Sequence, residues 1–327
     1  ILVVIGHLDI PQTLYNFIFI FHMYAFFYIS GVTFNVKKEQ SFFNFVVDNL
    51  KRLYVPYLFF AFCWDITNMV AQTYLKGDFD FSIWGITKNI FGVIIGNGPF
   101  ESSAAIGPAW FLLALLIVRI ASWLILKVSS ERIWVLGLVS VILFGIGYLA
   151  NGQSFLPFKL ISTFTAFAFF FVGYLCKGIY VRLKKVSFIL LAIGTFLLFG
   201  ISFVVSVLAD RSLVLVSNSL PSNPLLTILG GASGCFGLLI LSILLENIPI
   251  ISKCLSYYGI NSLIVMGVHS EINFGFSFIF EVLLKIPKEY ITFLIFVLTL
   301  VLVIPICMII NRFFPVFAGK RKVSKGI

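Results

Sequence analysis

Long apolar runs alternate with short polar stretches along most of the chain. Runs of membrane-spanning length fall near 14–35, 54–75, 109–127, 133–150, 160–179, 187–208, 225–245, 257–280 and 290–314. A helix needs about 20 residues to cross a bilayer. Backbone groups in lipid must be satisfied within the segment that carries them, which favours helices over open strands. The pattern therefore predicts an all-α polytopic membrane protein. The opening "ILVVIGH" is apolar but too short to span, so it reads as the end of a first helix whose start lies upstream. With it the expected count is about ten spans, in a single membrane domain over residues 1–327.

Charge gives an independent check on that count. Sixteen Lys and Arg residues fall in one set of alternate loops and six in the other, with Arg119 inside a span. Basic loops stay in the cytoplasm, so the richer set, which holds Lys51, Arg52 and the basic end "GKRKVSKGI", is expected there, with both termini. That end is expected at anionic lipid headgroups. The stretch "FSIWGITKNIFGVIIGNGP" is apolar but interrupted by Gly and Pro, and reads as an interfacial or re-entrant helix. A full span there would invert every later loop and spoil the bias.

Composition strengthens the membrane reading. The chain is 60% hydrophobic and 11% charged, with a mean hydropathy of +1.08; soluble domains are about 45–50% apolar and about 25% charged. A net charge of +10 would suggest nucleic acid in a soluble protein; here it follows from the basic loops, and no nucleic acid partner is expected. Five scattered cysteines show neither metal spacing nor a disulfide pattern, so no metal is expected.

Against this background a few polar residues stand out. His7, His22 and His269 are the only histidines, and all three lie in or beside spans at middle-to-outer depth. Any one alone reads as a buried imidazole satisfied by a carbonyl. Three at similar depth point to proton exchange, for which imidazole is suited near neutral pH. Asp65 and Arg119 lie at matching depths and read as an ion pair, chiefly structural. Lys51 and Arg52, in "KRLYVPY", mark the cytoplasmic mouth of the third helix; they are either helix-end anchors or a site for a phosphorylated ligand. Trp110, in "GPAWFLLALL", starts a helix and fits the aromatic belt. Ser30 and Gly31 read as close-packing small residues.

In order along the chain, these pieces resemble the acyltransferase-3 family of membrane O-acyltransferases. "VVIGH" is similar to the end of the family's first helix, "FHMYAFFYISG" to its second-helix pattern, and "KRLYVPY" to the basic-plus-Pro start of its third. "GPAWFLLALL", "FFFVGYL" and "YGINSLIVMGVH" resemble its later segments, and "ADRSL" with "SNPLL" (Asn223 among them) resembles the subgroup of fucose 4-O-acetylases and related acetyltransferases. The family's arginine, eleven positions before the first-helix histidine, would precede residue 1, and Tyr24 stands where many relatives have proline.

The resemblance implies acyl transfer, usually of acetyl, from cytosolic acyl-CoA as co-substrate to a carbohydrate hydroxyl, with no bound cofactor. The enzyme would sit in the inner (cytoplasmic) membrane and act on a polysaccharide or lipid-linked glycan. His7 is then the expected general base. His22 is left to orient His7, to stabilise the oxyanion or to relay the acyl group covalently. Lys51 and Arg52 would bind the donor, with Trp110, Asn223, His269, Asp65 and Arg119 as candidates for supporting roles. A transporter or flippase is the alternative, although no inverted pair of broken helices is evident.

Overall fold

The computed structural model describes residues 1–36, 41–76, 82–96, 106–153 and 156–320. Lys37, Lys38, most of the basic end and parts of the loop between 76 and 108 lie outside the described residues. The helices are α1 (Leu2–Gly6), α2 (Gln12–Phe19), α3 (His22–Thr33), α4 (Phe42–Asn49), α5 (Val55–Lys76), α6 (Ile83–Ile95), α7 (Trp110–Val128) and α8 (Ile133–Leu149). They continue with α9 (Leu160–Leu175), α10 (Ile179–Leu183), α11 (Phe188–Leu208), α12 (Pro224–Glu246), α13 (Pro249–Ile260), α14 (Ser262–Ser277) and α15 (Lys288–Phe313). Among the described residues the only β pairing is an isolated bridge between Val214 and Ser219. Eight helical stretches are long and apolar enough to cross a membrane, and this is a multi-pass membrane protein. Two shorter apolar helices, α6 and α8, have 13 and 17 residues.

Three of the expected runs are not single regular helices. The run near 14–35 breaks at Ile20 and Phe21, so His22 is the first residue of α3 and not a mid-helix position. The run near 257–280 breaks at Asn261, between α13 and α14. The third span starts earlier than its apolar run. Ser41 caps α4 by accepting from the Asn44 amide, and the helix continues through a π turn, Leu50–Tyr54, into α5. Lys51 and Arg52 therefore lie on a π turn inside a continuous helix and not at its mouth. Hydropathy stopped at their charges; helical hydrogen bonding did not. Single π turns of this kind recur at functional sites.

The core forms where α3 crosses α9. A Cβ on Gly31 would fall 2.0 Å from the Phe170 carbonyl oxygen, and one on Gly173 would fall 2.0 Å from that of Tyr28. Only glycine lets the two backbones come this close. Above the crossing, Tyr24 is fully buried and stacks on Phe169 with ring centroids 3.6 Å apart. The aromatic ring at this position packs the two helices together.

Helix α6 ends inside the protein. Its first turn is exposed at Ile83 and Trp84, whereas Val93 is fully buried. Its last carbonyls lack full helical pairing and accept from tyrosine hydroxyls, Val93 from Tyr57 beside the Gly96 amide and Ile94 from Tyr54. Gly96 closes it with φ 77°.

At the opposite end of the bundle from Lys51, residues 209–223 form a pinned loop. Asn218 anchors it. Its Nδ2 donates to the carbonyls of Gly147 at 2.7 Å and Ala150 at 3.0 Å, and its Oδ1 accepts from Thr165 at 2.8 Å.

Candidate active site

The break before α3 and the short α1 bring the histidines together. His7, at the end of α1, packs edge-on against His269 of α14, with ring centroids 4.9 Å apart. The Phe19 ring lies between His7, at 6.3 Å, and His22, at 4.6 Å. The four rings thus form a row from His269 through His7 and Phe19 to His22. His22 and His269 are buried, and His7 is exposed.

Each imidazole is held in the same way. Nδ1 lies 2.9 Å from the Val3 carbonyl in His7 and 2.9 Å from the Ile18 carbonyl in His22. In His269 it lies 3.1 Å from Val265 and 2.9 Å from Met266. A carbonyl oxygen only accepts, so Nδ1 carries the proton in all three, and Nε2 is the bare nitrogen of the neutral ring. Nε2 of His269 is occupied by the Ser270 hydroxyl at 3.1 Å. Nε2 of His22 is sealed from solvent and has no partner among the described residues. A buried polar atom without a partner costs about 1–3 kcal/mol, so this nitrogen is open to a hydrogen bond from whatever occupies the pocket that His22 lines.

His7, His22 and Trp110 line a small pocket of about 50 Å³, covered on one side by Val214, Leu215 and Val216 of the pinned loop. That is room for one or two waters, so a sugar enters only if the roof shifts. A second, apolar groove of about 560 Å³ runs from His22 and His269 past Ile29, Leu245 and Ser262. Ile1 and Leu2 also line it.

The expected pair of Asp65 and Arg119 is not formed. Arg119 donates from Nε to Asn49 Oδ1 at 2.8 Å and from Nη1 to Ser30 Oγ at 2.9 Å. Matched depth was not enough, because α7 turns this side chain toward α3 and α4. Asp65 is buried on α5. Ser30 is thereby a hydrogen-bonding residue as well as a small one. Asn223 is exposed, caps α12 through the Leu225 amide at 2.9 Å and is not among the residues lining the histidine pocket. Lys51 and Arg52 are exposed on their π turn, and the tail folds back so that Gly319 packs on the Arg52 carbonyl.

Sequence reasoning missed Glu271 and Asn49. Glu271 follows His269 by two residues, and its Oε2 is sealed and unpartnered; a carboxylate within an apolar run was the available signal. Asn49, beside the basic pair in sequence, carried no such signal.

A family model described as an acyltransferase domain matches residues 1–312. No curated protein and no solved structure matches the chain.

Proposed function

This chain belongs to the acyltransferase-3 family, and on that premise we propose that it moves an acetyl group from cytosolic acetyl-CoA to a sugar hydroxyl. The acceptor is a cell-surface or exported polysaccharide, and the sequence likeness to fucose 4-O-acetylases suggests a deoxyhexose or related sugar. The protein lies in the inner membrane with ten spans and both termini cytosolic. The loop-charge bias supports that orientation, with α1 and α8 added to the eight long helical stretches.

The observation that carries this reading is that His7 and His22, each with Nδ1 committed to a backbone carbonyl, line a single pocket. His7 acts as general base. Its Nε2 takes the proton of the sugar hydroxyl as that oxygen attacks the thioester carbonyl. The tetrahedral intermediate collapses with cleavage of the C–S bond, and the imidazolium returns the proton to the thiolate. Such catalysis contributes about 10²–10⁴-fold. His269 positions His7, because its own Nε2 is taken by Ser270. His22 with Nδ1 protonated offers a lone pair at Nε2, not an N–H. In its neutral form it can orient the hydroxyl or attack the thioester, and it cannot donate to an oxyanion. Lys51 and Arg52 bind the donor on the cytosolic side.

The test measures CoA release from acetyl-CoA by membranes containing the full-length protein, with and without a glycan acceptor. Acceptor-dependent release that is lost in His7→Gln is the expected result. No acetyl-CoA consumption with any glycan refutes the donor assignment. Near-normal turnover by His7→Gln removes the base from His7.

A further inference from the structure

Arg119 is a cation whose cradle, among the described residues, supplies no negative charge. Its two hydrogen-bond partners, Asn49 and Ser30, are neutral, and its guanidinium carbon lies 5.2 Å from the centre of the Phe34 ring. Asn49 is itself fixed, since its Nδ2 donates to the Phe45 carbonyl at 2.8 Å, which leaves Oδ1 for Arg119. No salt bridge among the described residues includes Arg119. Among the described residues, the charge that acts on it is Arg52, of the same sign. Helix α7 packs directly on the π turn that carries Arg52.

A guanidinium has five N–H donors, and the cradle uses two. The remaining donors form a planar fork suited to the paired oxygens of a phosphate. The half-buried Arg119 feels the like charge of the exposed Arg52, and a half-buried cation without a counter-charge is costly. As a tie among α3, α4 and α7, a neutral amide at 119 would bond Asn49 and Ser30 without that repulsion. The charge is accounted for by an anion that sits against both guanidinium groups and relieves them.

We propose that Arg119 and Arg52 form a phosphate-binding pair. Resting on the acyl-CoA reading above, its ligand is a phosphate of the donor's nucleotide. Arg119 joins Arg52 in binding the donor and takes no part in the proton transfers at His7.

The test compares acetyl-CoA with acetyl-pantetheine, which carries the same thioester and no phosphate. The full-length protein is placed in nanodiscs of zwitterionic lipid, and kcat/KM is measured for each donor. The preference for acetyl-CoA should fall about tenfold or more in Arg119→Gln, as expected for loss of a charge-assisted hydrogen bond. Arg52→Gln should do the same, and the double variant should fall by less than the product of the two because they share one ligand. An unchanged preference in Arg119→Gln overturns the proposal. If Arg119→Gln fails to insert, Arg119→Lys keeps the charge but loses the fork, and its preference should still fall.

A second arm adds anionic lipid. If anionic lipid stabilises the wild type but not Arg119→Gln, and the donor preference is unmoved, the ligand is a headgroup and the donor assignment is wrong. If the wild type uses neither donor, the acyl-CoA reading fails on its own. The pair is then judged by thermal stabilisation with inorganic pyrophosphate, present in the wild type and lost in both Gln variants if the site exists, and absent from all three if it does not.

Discussion

Replacing Asn218 should loosen the roof of the histidine pocket by a calculable amount. Its side chain is fully buried and makes three hydrogen bonds, to Gly147, Ala150 and Thr165. Its backbone has φ 52°, a left-handed conformation that asparagine tolerates better than most residues. Each hydrogen bond is worth about 1 kcal/mol net, so Asn218→Gly should lose about 3 kcal/mol while keeping the backbone comfortable. Asn218→Ala adds the left-handed penalty of about 1 kcal/mol, for a total near 4 kcal/mol. The measurement is unfolding of the purified protein in mild detergent, titrated with a denaturing one and followed by tryptophan fluorescence. Because Asn218 holds the loop that carries Val214–Val216 over His7 and His22, KM for the glycan should change along with stability. A loss under 1 kcal/mol for Asn218→Ala would refute the bond accounting. Asn218→Gly at or below the stability of Asn218→Ala would refute the backbone argument.

Gly173→Ala sets a Cβ 2.0 Å from the Tyr28 carbonyl oxygen, and neither backbone can give way cheaply; a loss of about 3 kcal/mol is expected, read as folded yield in detergent, whereas Gly200→Ala, with open space around it, should be harmless. The Asp210 carboxyl is held down to about 2, first by the Ser222 hydroxyl, then by the Ser222 amide and Arg211. A lowered folded value means that its contribution is complete above the ordinary aspartate range and is lost as pH falls through about 2. Protease sensitivity of the 209–223 loop should therefore be flat from neutral pH to about pH 4 and rise below that, with Asp210→Asn sensitive throughout; equal protection of the variant at pH 7 would sink the argument. For orientation, Gln153→Cys and Lys185→Cys, both at exposed positions, should label oppositely with an impermeant thiol reagent in intact cells after exposed Cys63 and Cys254 are changed to serine. Position 153 should react and position 185 should be shielded; the reverse overturns the cytosolic placement of Arg52.

The sequence alone determined that the chain is a multi-helix membrane protein of this family. Apolar runs long enough to span are a one-dimensional property, because a helix in lipid satisfies its own backbone. His7, His22 and His269 were legible for the same reason: a polar side chain in an apolar run stands out wherever it folds. Tertiary structure decided which of them meet. His269 lies 262 positions from His7 in the chain and forms the edge contact, while His22, which is far nearer in sequence, is separated from His7 by Phe19. The breaks before His22 and at Asn261 left no hydropathy signal, since a kinked helix is as apolar as a straight one. Arg119 shows the same limit most clearly. Depth along the sequence matched it to Asp65, but rotation about the α7 axis is set by packing against α3 and α4, and that rotation gave it Asn49, Ser30 and the neighbouring charge of Arg52. Hydrophobic pattern fixes how far along a helix a residue lies; only the packed bundle fixes the direction in which it points.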